Sequence, residues 1–210
     1  MGVWIKKAVL ATTAFKKDQF PSLDPGEIAF AGKSNVGKSS LLNRIMGTKK
    51  LVKVSSRPGF TQSVNFFSIT IGGEGQGNEA FFVDLPGYGF AKAPASVKKK
   101  WERLIGAYFS SGRKIKGVVA IFDIRRNPDA LDLELISFLR FYNIPIIPVL
   151  NKCDKLGRGA SMRRAEEIRT QLKGLGLNAS DLDCLSLVSA RTGSGVDDLR
   201  SLLLTRLVHT

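Results

Sequence analysis

Apolar and polar positions along this 210-residue chain follow two rhythms. Short apolar runs at 27–31, 80–83, 117–123 and 144–150 are bounded by glycine, proline or charged residues, the pattern of strands buried on both faces. The stretch 64–71, rich in aromatic and β-branched residues, predicts a further strand, and the glycine-rich 72–78 predicts a hairpin turn after it rather than a linker. A preliminary strand or arm is expected over 7–14. Elsewhere the spacing is helical. Val97, Trp101, Leu104, Ile105, Tyr108 and Phe109 recur on one face, and helices are expected over 39–46, 130–141, 161–174 and 196–207. The aromatic stripe reads as a face turned to the core rather than a binding surface. Strands alternating with helices predict an α/β fold with a mostly parallel central sheet and helices on both faces.

Composition narrows this picture. With 43% hydrophobic residues the chain can bury one substantial core. It has no apolar run near the ~20 residues that span a bilayer, and Met1-Gly-Val-Trp-Ile-Lys-Lys is not patterned as a signal peptide. Cys153, Cys184 and His209 have no metal-ligand spacing, so no structural zinc is expected and the thiols read as reduced. These features point to a cytoplasmic chain.

Candidate chemistry begins where the first buried strand ends. Gly32, Lys33, Ser34, Asn35, Val36, Gly37, Lys38 and Ser39 form a complete G-x-x-x-x-G-K-S between a strand and a helix that Ser40 continues. Such a loop aims successive amides at a β-phosphate, with Lys38 against the β/γ oxygens and Ser39 offering a hydroxyl to Mg²⁺. The alternative, a glycine-rich turn that binds nothing, does not need the flanking strand and helix. After a second buried strand come Asp84, Leu85, Pro86 and Gly87. There the carboxylate can hold a water of the Mg²⁺ shell, and the Gly87 N–H can meet a γ-phosphate. Between them, Gly59, Phe60, Thr61, Gln62 and Ser63 form a loop whose threonine hydroxyl could complete that shell, although a Pro-Gly turn alone would also explain it.

The base is chosen further along. Asn151, Lys152, Cys153 and Asp154 follow the strand expected at 144–150. A carboxylate at Asp154 can accept from guanine N1–H and the 2-amino group, whereas adenine offers no such pair and would leave it unpaired. Lys152 can lay its stem over the base, Asn151 can tie this loop to the phosphate loop, and amides at Ser189, Ala190 and Arg191 could reach the guanine O6.

Taken together these segments resemble a translation-factor-class P-loop NTPase, a Ras-like GTPase domain. The run 32–43, Pro-Gly-Phe-Thr-Gln at 58–62, Asn65-Phe-Phe67 and Asp84-Leu-Pro-Gly-Tyr-Gly-Phe-Ala91 are similar to the EngB family, also called YihA or YsxC. The resemblance covers about Phe20 to Leu207. It implies a single GTPase domain over 1–210, with 1–20 as a short arm or extra strand packed on it. It also implies GTP/GDP and Mg²⁺ as ligands and a role in maturing the large ribosomal subunit, with a link to cell division and septation. Three positions depart from the family's usual residues: Arg57 where threonine is usual, Phe60 where arginine is frequent, and Asn151 where threonine is frequent. None removes a metal or base ligand.

Two further features bear on activity. The residue after the Asp-x-x-Gly glycine orients water as a glutamine in Ras-like enzymes, but here it is Tyr88. Slow intrinsic turnover is therefore expected. Help would come from K⁺, which similar GTPases hold near the β/γ bridge through an asparagine at the place of Asn35, or from the ribosomal particle in trans; Lys38, Thr61 and Gly87 are the other catalytic candidates, and Asn35 could instead serve only the loop's backbone. The net charge is +14, and the basic residues cluster. Between Ile28 and Gly73 there is no acid, while Lys33, Lys38, Arg44, Lys49, Lys50, Lys53 and Arg57 fall there. Lys92, Lys98, Lys99, Lys100, Arg103, Arg113, Lys114 and Lys116 form a second group with only Glu102 among them. A solvated face would also carry such charge, but lopsidedness on this scale favours a polyanion. The expected partner is a large-subunit precursor, its rRNA and proteins, met through backbone and shape because no aromatic-interleaved single-strand platform is evident. No DNA, no membrane and a monomeric state are expected. The competing readings are a nucleotide-gated RNA- or ribosome-binding module with negligible hydrolysis, an ATP-dependent enzyme, and a membrane signalling GTPase, the last without a lipidation-like C-terminus.

Overall fold

The computed structural model describes residues 3–21, 25–52, 63–73, 78–88 and 95–208, without the side chains of 95–98. It contains a seven-stranded sheet. The strands are β1 Trp4–Ala14, β2 Gly26–Gly32, β3 Val64–Gly72, β4 Glu79–Asp84, β5 Ile115–Asp123, β6 Ile146–Asn151 and β7 Ser186–Leu187. The helices are α1 Lys38–Ile45, α2 Ala95–Phe109, α3 Ala130–Phe141, α4 Arg158–Gly174, the short α5 Ala179–Leu182 and α6 Val196–Val208. The sheet order is β1-β3-β4-β2-β5-β6-β7. Only β3 runs against its neighbours, so the other six strands point the same way.

The expected α/β architecture is what forms, because the pleat sends alternate residues of each interior strand to opposite faces and both faces are covered. From β2, Ala29 and Ala31 join a core with Leu104, Ile105 and Tyr108 of α2, Leu135 and Leu139 of α3 and Ile168 of α4. Ile28 and Phe30 point the other way, into a core with Leu41, Leu42 and Ile45 of α1 and Leu199, Leu203 and Leu204 of α6. The aromatic stripe of α2 is core at Tyr108 and Phe109, with Trp101 half-buried at its margin: Tyr108 is fully buried, its ring 6.0 Å from Phe66 and 5.0 Å from Phe109.

Several boundaries differ from those the sequence predicts, for local reasons. The first strand starts at Trp4 rather than near residue 7, since its outer residues are exposed and break the apolar alternation. α4 begins at Arg158 rather than 161, through a polar first turn that carries no periodicity; the Ser161 hydroxyl donates back to Gly157 O at 3.1 Å. α5 is too short to show a period, and is set by a capping box between Asn178 and Asp181. One charge assignment is corrected. Arg113, grouped above with the basic surface, is buried, donating to Glu27 Oε1 at 2.6 Å with its guanidinium carbon 5.0 Å from the centre of the Phe66 ring.

Candidate functional site

Six co-directional strands bring their C-terminal ends to one edge of the sheet. The turns leaving Gly32, Asp84, Asp123 and Asn151 therefore meet there, where open α/β sheets hold ligands.

The loop from β2 to α1 has the backbone its glycines predict. Gly37 sits at φ 96°, and a Cβ on it would fall 2.5 Å from Asn151 Nδ2. Gly32 has no such freedom to serve, but a Cβ there would meet Val36 Cγ1 at 2.8 Å. Asn35 is also left-handed, at φ 65°. Gly37 is the N-cap of α1 and offers no side chain, and no acid lies in the first turn, so the amides of Lys38, Ser39 and Ser40 begin the helix as an anion site. Lys38 Nζ ion-pairs with Asp84 Oδ1, and both side chains are nearly buried. Asn65 Nδ2 lies 3.5 Å from the other oxygen of Asp84.

The turn after β4 packs on this loop. Leu85 is buried, and its N–H donates to Phe30 O at 3.1 Å. Pro86 O accepts from Trp101 Nε1 of α2 at 3.1 Å. At Gly87 a Cβ would sit 3.4 Å from Gly32 O, so the two loops are in backbone contact. Tyr88 forms a parallel bridge with Lys33. Its hydroxyl donates to Asp132 Oδ1 at 2.8 Å, and burial first, then Asp132, pushes that phenol well above its ordinary pKa. Lys33 Nζ reaches Asp132 Oδ2 at 2.6 Å and Asp129 Oδ1 at 2.7 Å. Lys33, expected among the nucleotide contacts, pairs its ammonium with the start of α3, and its backbone bridges to Tyr88.

The base side is drawn together by Asn151, which is 1% exposed. Its Nδ2 donates to Val36 O at 2.9 Å, while its Oδ1 accepts from Lys152 N at 2.8 Å and Ala190 N at 3.1 Å. The Ala190 amide therefore already has a partner. Lys152 Nζ donates to Asn35 O at 2.6 Å and to Asp123 Oδ2 at 2.9 Å. Burial raises the Asp123 pKa, but hydrogen bonds from Arg125 and Lys152 outweigh it and hold the carboxyl well below the usual range. Asp154 Oδ1 accepts from the buried Ser189 hydroxyl at 2.6 Å, which chiefly holds its pKa down. Asp154 Oδ2 is buried with no hydrogen-bond partner; Arg191 Nη1 stands 3.9 Å away, beyond hydrogen-bond reach. An orphaned carboxylate oxygen is costly unless a donor arrives, and a guanine edge supplies one. The Cys153 N–H donates to Val188 O at 3.1 Å, and burial raises its thiol pKa.

Ser63 is buried at the start of β3. Gly59, Phe60, Thr61 and Gln62 lie outside the described residues. Sequence reasoning did not single out Asp123 or Asp132. The available signal was an acid at the end of a buried strand and an acid three residues into a helix after an Asp N-cap. Among the described residues no three His, Cys, Asp or Glu side chains cluster as a metal site.

Comparison with known proteins agrees with this geometry. The family described as 50S ribosome-binding GTPase matches residues 27–152, and the elongation factor Tu GTP-binding domain matches 105–209. The chain is 39% identical over 201 residues to the "Probable GTP-binding protein EngB" of Geobacillus kaustophilus, covering 95% of this chain and 96% of that one. It is 38% identical over 194 residues to the protein of the same name in Bacillus subtilis, covering 92% and 93%. A crystal structure of a probable GTP-binding protein EngB superposes with TM-score 0.63 at 26% identity, over 88% of this chain and 100% of that one. A point variant of Aquifex aeolicus Era bound to GDP.AlF4- gives TM-score 0.68 at 25% identity, over 88% and 57%. The chain belongs to the EngB family of GTP-binding proteins, with the Ras-like fold and P-loop of a GTPase.

Proposed function

We propose that the chain is a slow GTP-hydrolysing switch that assists assembly of the large ribosomal subunit. Its GTP state would order Thr61 and the loop after Gly87 into a particle-binding surface, and hydrolysis would release it. The observation that carries the reading is the distribution of charge around these loops. Lys49, Lys50, Lys99, Lys100 and Arg103, which flank these loops along the chain, are all exposed on a chain of net charge +14. Such a field captures RNA and makes capture salt-dependent. A contribution to septation would follow from the supply of subunits. The matched family's description as ribosome-binding supports the same partner.

The residues fit Mg²⁺. Ser39 and Asp84 supply hard oxygen donors, and Thr61 would add a third. When bound, the ion neutralises charge on the β- and γ-phosphates. Lys38, held by Asp84 here, would move its ammonium to the phosphates, and the amides of α1 would orient them. Tyr88 has no part in placing water, because its hydroxyl is committed to Asp132. Turnover then depends on help, for which we propose K⁺ at Asn35 or the particle itself.

The test is sedimentation with large-subunit precursors in GTP-analogue and GDP states across a salt series. Association that depends on nucleotide and falls with salt is the expected result. Binding that is tight yet never accelerates phosphate release would favour a nucleotide-gated module without turnover.

A further inference from the structure

Beside the nucleotide edge, the turn that follows β1 and the helix α2 enclose a groove of about 560 Å³ that the nucleotide site does not use. Phe15, Lys16 and Lys17 form one wall, and Lys100, Trp101 and Arg103 form the other. Phe15 is 62% exposed, and unlike the other exposed rings it lines a cleft with four cations, Lys16, Lys17, Lys100 and Arg103. Among the described lining residues none is acidic; Lys16 shares Asp18, 2.8 Å away at the rim.

Two features tie the groove to the switch. Ala14 pairs with Val64 and Asn65 with Asp84, so Phe15 leaves β1 at the same edge as the Asp84–Gly87 turn. Trp101 lines the groove and also donates its indole N–H to Pro86 O, 3.1 Å away in that turn. A shift of the turn with nucleotide would therefore move one wall of the groove.

We propose that this groove binds single-stranded RNA, one unstacked base lying on Phe15 with flanking phosphates against Lys16, Lys17, Lys100 and Arg103, and that Trp101 couples its occupancy to the nucleotide. Charge complementarity selects a polyanion. The exposed ring selects among polyanions: a splayed base has a planar face to offer, whereas a duplex hides its bases and an acidic peptide has none of its own. The proposal rests on the nucleotide-switch reading above and assigns the RNA a place.

The test measures fluorescence anisotropy of a labelled oligouridylate of about twelve nucleotides with the full chain, loaded with a GTP analogue or GDP, over a salt series. Fluorescent GTP binding is measured in parallel on the same samples. F15A should weaken RNA binding about tenfold. K100A/R103A should weaken it and flatten the salt slope by about 0.7 for each phosphate that is no longer neutralised. K173A, an exposed lysine on α4, should change neither. W101F, which keeps a ring and removes the N–H, should erase the difference between nucleotide states. All but W101F should bind fluorescent GTP as the wild type does. RNA binding that F15A and K100A/R103A leave intact, beside normal GTP binding, overturns the groove and spares the switch. Loss of GTP binding by the wild type overturns the switch itself. Oligoglutamate that binds as well as RNA, and is weakened equally by F15A, makes the partner an acidic protein and overturns the RNA assignment.

Discussion

Tyr88 and Asp132, 44 residues apart, are joined by a hydrogen bond of 2.8 Å that fastens the turn after β4 to the start of α3. Asp132 is almost fully buried and serves three donors at once: the Tyr88 hydroxyl, Lys33 Nζ and the Asp129 amide of its own capping box. The residue that in a Ras-like enzyme would handle water is here a strut between two loops.

Y88F should therefore cost about 1–2 kcal/mol of stability, read from the urea midpoint, since it removes one donor from a buried carboxylate that keeps two others. Basal GTP hydrolysis per folded molecule should stay within about twofold of wild type. A fall of tenfold or more would put the hydroxyl in the reaction.

Asp154 presents one satisfied and one orphaned oxygen. D154N keeps the shape and replaces an acceptor with a donor, so guanine affinity should fall at least about a hundredfold while xanthine nucleotides gain. Competition between fluorescent GTP and unlabelled XTP checks this, and an unchanged preference would remove Asp154 from the base pocket.

Gly37 combines a left-handed φ with a 2.5 Å approach to Asn151. G37A should lose about 1–2 kcal/mol from the backbone alone and should disturb the Asn151 link between the phosphate and base loops. Calorimetry should show a lower Tm and loss of GTP binding together. A loss of stability with GTP affinity intact would mean the two loops are not coupled through this contact.

Acid should destabilise the protein through the site itself. Asp123, Asp129 and Asp154 all have folded pKa values held below their ordinary ones. Groups of this kind add stability above the unfolded carboxylate value of about 3.9, and that stability is lost as pH falls through the lower folded values. Thermal midpoints should be flat from neutrality to about pH 5 and fall below it. D123N should fall less steeply, because it has already lost the ionisation that Arg125 and Lys152 favour.

Asn35 has a backbone reason to be asparagine, its left-handed φ of 65°. A cation role adds a separate expectation: GTP hydrolysis faster in KCl than in NaCl of equal ionic strength, with the difference abolished in N35G, which keeps the backbone freedom. Equal rates in the two salts would leave only the backbone role.

Local sequence determined the order of the longer strands and helices, though not of the short α5 and β7, together with the phosphate loop and the base loop, because each depends on spacing within about a dozen residues: the pleat, the helical turn and the chemistry of a glycine bend. The motifs even foretold that Asn151 could bridge to the phosphate loop, since its type and its strand end were both visible. What only the tertiary structure decided are pairings set by sheet order and helix docking. Arg113 left the basic surface because Glu27, 86 residues away, lies beneath it. Lys33 and Tyr88 both reach Asp132 because α3 begins beside the phosphate loop and the turn after β4. Phe15 gained a facing wall of cations because β1 adds to the sheet outside β3 and ends beside α2. Such contacts join residues whose separation along the chain carries no periodic trace, so they exist only once the two cores have packed.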